Sequence, residues 1–144
     1  MSPSPPAEAR QFDFWVGHWD LSWPGGNGSN RISLVLDSAV VLEEFSGEES
    51  ITLRGMSLSV YDRRSGAWKQ TWVDNQGGYL DFIGGFNGQR MVLQRSVSGD
   101  GQEMLQRMVW YNITPDSLDW SWERSEDQGK TWKTLWPIHY VRRK

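Results

Sequence analysis

Few side chains in this 144-residue sequence are suited to chemistry at neutral pH. It has no cysteine, which excludes disulfides, thiolate nucleophiles and Cys-ligated zinc or iron–sulfur sites. Its two histidines, His18 and His139, lie far apart, and no His-x-His, H-E-x-x-H or D-x-D-x-D-G spacing occurs. A dedicated metal site is therefore not expected. Gly84-Gly85-Phe86-Asn87-Gly88 lacks the Lys-Ser/Thr of a phosphate-binding loop, and Gly55-Met56-Ser57-Leu58-Ser59 has no strand–helix context for a nucleophile elbow. Glu43 and Glu44 are neighbours, so a strand sends them to opposite faces, and a paired-carboxylate glycosidase site is hard to build from them. The titratable candidates that remain are Glu43, Asp74 and His139.

Tryptophan is the conspicuous side chain, with ten copies. Residues i, i+2 and i+4 of a strand share one face. Trp15, Trp19 and Trp23 fall on one parity, as do Trp68 with Trp72, Trp120 with Trp122, and Trp132 with Trp136. Gln70 and Asp74 alternate with Trp68 and Trp72; Arg124 follows Trp120 and Trp122; Gln106 and Asn112 flank Met108 and Trp110. If that parity faces inward, the interior is aromatic with a few polar anchors, the usual make-up of a small-molecule pocket. The alternatives are a filled core, with each indole N–H paired, and polar groups that merely end strands in water.

The elements needed to position these residues are strands. Alanine is scarce, at four residues, and turn signals recur along the chain. They stand at 24–30, 46–50, 63–66, 75–78, 87–88, 98–101, 114–117 and 127–130, a spacing that describes an all-β sandwich or barrel. Asn87-Gly88 carries the strongest hairpin signal, that of a type I′ turn. Ten strands are expected, near 16–23, 30–37, 39–47, 52–62, 67–74, 79–86, 89–97, 102–113, 118–125 and 131–143. A short helical turn is expected over 6–15, and residues 1–10 are expected to be a frayed tail on a single domain of 1–144. Net charge is −3, which disfavours nucleic acid. No apolar run is long enough for a membrane helix, no signal peptide is visible, and a cytoplasmic address is the default expectation.

Ser125-Glu126-Asp127-Gln128-Gly129-Lys130-Thr131-Trp132 resembles the Asp-box, S-x-D-x-G-x-T-W, of sialidase-type propellers. Four blades of about 40 residues exceed this length, so the motif reads as a hairpin device. Gly17-His18-Trp19 with a late Arg142 resembles the calycin superfamily, which includes the lipocalins. The resemblance implies that Trp19 closes the barrel base and Arg142 packs across it, a cation–π contact of about 0.5–2 kcal/mol. A wider pattern runs over roughly residues 11 to 143. It comprises Phe12-Asp13-Phe14-Trp15-Val16-Gly17-His18-Trp19, Leu42-Glu43-Glu44-Phe45, Gly55-Met56-Ser57-Leu58, Tyr61-Asp62, Trp68-Lys69-Gln70-Thr71-Trp72-Val73-Asp74 and the Ser125–Trp132 hairpin. Together these look like a bacterial family of unknown function marked by F-D-F-W-x-G-x-W. The resemblance implies an antiparallel up-and-down calycin-like β-barrel and brings no catalytic residues with it; Pro137-Ile138-His139-Tyr140 departs from its pattern.

The leading functional expectation is a barrel binding a small hydrophobic or aromatic molecule. Its wall would draw on Trp68, Gln70, Trp72, Asp74, Trp110, Trp120, Trp122 and Arg124. An isomerase- or cyclase-type enzyme using Glu43, Asp74 or His139 is the second expectation. Carbohydrate binding on exposed tryptophan platforms is the third, with a homodimer burying outward tryptophans as a related option. No cofactor is expected; haem on His139 is the alternative, because haem-binding barrels of related shape place a histidine late in the chain.

Overall fold

The structure, a computed structural model, describes residues 5–99 and 101–144. Ten antiparallel strands form one closed barrel in which each strand pairs with its sequence neighbours and the last returns to the first. They are β1 (Gly17–Trp23), β2 (Gly26–Val35), β3 (Val40–Ser46), β4 (Arg54–Asp62), β5 (Ala67–Asp74), β6 (Tyr79–Phe86), β7 (Met91–Gly99), β8 (Gln102–Tyr111), β9 (Ser117–Ser125) and β10 (Lys133–Arg142). Closure leaves no unpaired edge. Side chains alternate between the two faces, and in β4 the small and polar ones point inward: Gly55, Ser57 and Ser59 are buried while Met56, Leu58 and Val60 face out. Two short 3₁₀ turns, Ala7–Arg10 and Asp13–Trp15, precede β1.

Several local expectations need correction. Residues 7–10 form a docked 3₁₀ turn with Ala9 buried, because the Ala9 N–H bonds Pro6 O at 2.9 Å and Arg10 reaches the Ser38 carbonyl. The first four residues of the expected tail, and Asp100 in the turn 98–101, lie outside the described residues. Trp15 belongs to the 3₁₀ turn, so strand parity does not reach it; its carbonyl accepts the Trp19 indole N–H at 2.8 Å, while Trp23 packs on Trp136. Trp132 precedes β10, and a register shift between Thr134 and Trp136 separates it from the inward set. Its ring lies outside the barrel, 3.9 Å from the Arg107 guanidinium. At the Asn87-Gly88 turn only Gly88 has positive φ, so it is not type I′. The Asn87 carboxamide oxygen instead accepts from the Gln89 and Arg90 backbone N–H groups at 2.9 and 2.8 Å.

The Ser125–Trp132 segment is a hairpin tied by its own side chains. Ser125 Oγ donates to Asp127 Oδ1 and accepts from the Gly129 N–H, both at 2.8 Å. The Thr131 N–H donates to Asp127 Oδ1 at 2.8 Å. These bonds, Thr131 first, hold the Asp127 carboxyl at a pKa of about 2. The motif therefore joins β9 to β10 without any catalytic element.

Candidate functional site

The two ends of the barrel are built differently. At one end the segment before β1 folds inward. Phe12 and Trp15 stack at 4.9 Å, and Phe12 meets the edges of Trp68 and Trp110 at 5.1 and 5.0 Å. All four are buried, as is Trp19 beneath them. Arg142 lies across the Trp19 ring at 4.2 Å and donates to Pro115 O at 2.9 Å and Val16 O at 2.7 Å. A Cβ at Gly17 would stand 2.2 Å from the Arg142 guanidinium, and Gly17 has φ of +143°. Glycine at that position gives the arginine its path across the tryptophan.

At the other end the interior is open. A cavity of about 190 Å³ is walled by Phe45, Leu53, Trp72, Leu80, Phe82, Met108, Trp120, Trp122, Trp136 and Ile138, with Trp110, Glu43 and Tyr140 also in its lining. Trp72 holds its wall position because Gly55, diagonally across on β4, has no side chain; a Cβ there would lie 2.1 Å from the indole. Trp136 meets the edges of Trp23, Phe45 and Trp120 at 5.2, 5.9 and 6.0 Å. The rest of the lining is nearly all carbon.

Between the packed end and the cavity runs a belt of buried polar side chains from β2 to β5 and β10. Asn30 Nδ2 donates to Glu43 Oε2 at 2.8 Å and to Tyr140 Oη at 2.9 Å. Ser57 Oγ donates to Glu43 Oε1 at 2.7 Å. Gln70 Nε2 donates to Ser59 Oγ at 2.9 Å. Glu43 is 7% exposed and meets no cation in these bonds. Burial pushes its pKa above the ordinary value near 4.5, against the opposing hydrogen bonds from Ser57 and Asn30. Burial likewise raises the Tyr140 phenol, with the nearby Glu43 adding to the effect.

Of the eight residues expected in the wall, Trp72, Trp110, Trp120 and Trp122 line the cavity. The other four do not. Trp68 packs in the closed end, its indole N–H donating to Gln11 Oε1 at 3.0 Å. Gln70 lies in the belt. Asp74 stands at the open end of β5, accepting the Trp72 indole N–H at 2.9 Å and the Gly78 N–H at 2.9 Å; these bonds lower its pKa. Arg124 shares the inward parity but lies toward the mouth, 3.7 Å from Glu126, opposite Gln106, which Arg95 contacts at 2.6 Å.

Of the three titratable candidates only Glu43 reaches the cavity. His139 is on the outer face, where Nδ1 lies 2.7 Å from Asp119 Oδ1, so it offers the interior no haem ligand. Among the described residues no group of three or more His, Asp or Glu converges as a metal site, and no helix is long and apolar enough to cross a membrane. None of the ten tryptophans is classed as exposed, so a surface stacking platform of coplanar indoles is not formed. Six of the exposed apolar side chains, Met56, Leu58, Val60, Val73, Tyr79 and Ile83, lie instead on the outside of β4–β6.

Sequence reasoning passed over Asn30, Ser57 and Tyr140, which anchor Glu43, and Trp136, Phe45, Leu80 and Phe82 in the wall. Parity would have found most of them. Phe45 alternates with Glu43, and Trp136 with Ile138 and Tyr140. No protein-family model matches the chain, and no curated protein matches it either.

Proposed function

We propose that this protein binds a small hydrophobic or aromatic molecule inside a barrel of calycin type, in the F-D-F-W-x-G-x-W family that its sequence resembles. One observation carries the reading: the inside of a closed barrel keeps a cavity of about 190 Å³ lined by five tryptophans, two phenylalanines and aliphatic side chains. Apolar cavities of about 150 Å³ stay dry and take up benzene, so the space suits a ligand of one ring and a few further atoms. Burying such a surface stabilises a complex by about 25 cal/mol per Å², before association costs. The Arg142–Trp19 stack at the opposite end supports the calycin reading.

Ligand binding is favoured over catalysis because the cavity holds one carboxyl, Glu43, while Asp74 and His139 lie elsewhere and supply no second proton-transfer group. The test is saturable quenching of tryptophan emission by iodobenzene. The expected result is saturation in the wild type and loss in Leu80→Trp, which fills the space. Quenching that rises linearly in both proteins would reject the reading.

A further inference from the structure

Tyr140 is a donor without an acceptor. Its oxygen receives the Asn30 amide at 2.9 Å and lies near the Trp15 indole N–H, and among the described residues its own hydrogen has no acceptor. Trp110 also lines the cavity, and its buried indole N–H has no acceptor. Glu43 shares this lining with both. Asn30 Nδ2 bridges it to Tyr140, so the two oxygens are no farther apart than the sum of those bonds. Ser57 on β4 and Asn30 on β2 already occupy one lone pair of each Glu43 oxygen, and Tyr140 on β10 is the only other ionisable side chain in the cavity lining. Among the described residues no ammonium or guanidinium lines the cavity to offset a charge there. Burial without a cation favours the neutral form of a carboxyl, which can donate.

We propose that the polar end of the cavity recognises one hydrogen-bond acceptor oxygen, of carbonyl type, on a neutral aromatic ligand, through Tyr140 Oη–H and the Glu43 carboxyl, with the unpaired Trp110 N–H in the same lining. This rests on the cavity being a ligand site and specifies the ligand's chemistry. A cationic amine would have to draw the proton from Glu43 in an apolar enclosure. A carboxylate ligand would face another acid group with no cation at hand. A pure hydrocarbon would leave three buried donors unpaired, which disfavours it against an isosteric ketone.

The experiment measures affinity by calorimetry for four probes of near-equal size: ethylbenzene, acetophenone, 1-phenylethylamine and benzoate. Acetophenone is expected to bind at least tenfold tighter than ethylbenzene at acidic pH. That advantage is expected to shrink as pH rises and Glu43 ionises, since a carboxylate can only accept. Glu43→Gln keeps an N–H donor, so it should bind acetophenone with no pH dependence; Glu43→Leu and Tyr140→Phe should each lose several-fold. Ethylbenzene binding equal to or tighter than acetophenone overturns the proposal while leaving the cavity as a ligand site. Tightest binding of the amine, or of benzoate through Arg95 and Arg124 at the mouth, overturns it in favour of an ionic anchor. Failure of all four probes, ethylbenzene included, overturns both the proposal and the ligand-binding reading beneath it.

Discussion

The two ends of this barrel use the same residue type to opposite effect. At the closed end Trp15, Trp19, Trp68 and Trp110 are fully buried, with Trp15 stacked on Phe12 and Trp68 and Trp110 meeting it edge to face. At the open end Trp72, Trp120, Trp122 and Trp136 are only partly buried and leave a space between them. The difference comes from ten residues of chain. The segment 7–16 folds into one mouth and brings Phe12 and Trp15 to fill it; among the described residues the connections at the other mouth bring only Leu53 into the cavity wall. Tryptophan content therefore says little about whether a barrel is filled. What decides it is which mouth the connecting chain turns into.

The largest test of this contrast compares truncations at the two ends. Phe12→Ala should cost about 3–5 kcal/mol, because its cavity opens inside a packed cluster. Trp136→Ala, which enlarges a space already present, should cost about half as much. Urea unfolding of the two variants measures both, and equal losses would erase the distinction between a packed and an open end. Next in size is Arg142→Met. It removes the stack on Trp19 and leaves the Val16 and Pro115 carbonyls short of a donor, for a loss of about 2–3 kcal/mol. The same variant should leave iodobenzene quenching intact, since the cavity lies at the other end.

Gly55→Ala sharpens the comparison from the open side. The new methyl cannot share space with the Trp72 ring, which must swing into the cavity. Probe affinity should fall about tenfold, or about 1.4 kcal/mol, with a change in stability of about 1 kcal/mol. A thermal melt and a quenching titration on one sample separate the two quantities.

How much of this was legible beforehand depends on which physical signal carried it. Strand number and order followed from period-two alternation and turn residues, both local. The Trp19–Arg142 pair was legible through its resemblance to calycin barrels, and the two residues face each other in the β1–β10 register. Trp15 and Trp132 were misplaced for a common reason: parity holds only inside a regular strand, and a 3₁₀ turn or a register shift resets it. Glu43 could be named as a candidate from its side chain. Parity could place its partners Asn30 and Tyr140 on the inward face but not bring them together, because their meeting, 110 residues apart in sequence, is fixed only when the barrel closes.

Two smaller effects concern pH. Folded Glu43 keeps a proton that the unfolded chain releases, since burial raises its pKa above about 4.5. Its contribution is thus fully present below that value and is lost as pH rises until the folded carboxyl ionises. Glu43→Gln should flatten this alkaline-side decline in chemical unfolding measured from pH 5 to 8. Asp62 and Asp127 act in the opposite sense. Their folded pKa values near 2 give stability above about 3.8 that disappears as pH falls through 2. A carbon-13 titration of the Asp127 carboxyl should place its midpoint near 2, and a midpoint near 4 would mean that the Ser125–Thr131 bonds do not hold the hairpin in solution.

The central claim is that the open end holds a ligand and the closed end does not. A crystal soaked with iodobenzene tests it most directly through the anomalous signal of iodine. The account predicts one strong peak between Trp72, Trp120, Trp122 and Trp136, with none among Phe12, Trp15 and Trp110. A cavity collapsed onto its own side chains, with iodine only on the outer surface, would contradict it.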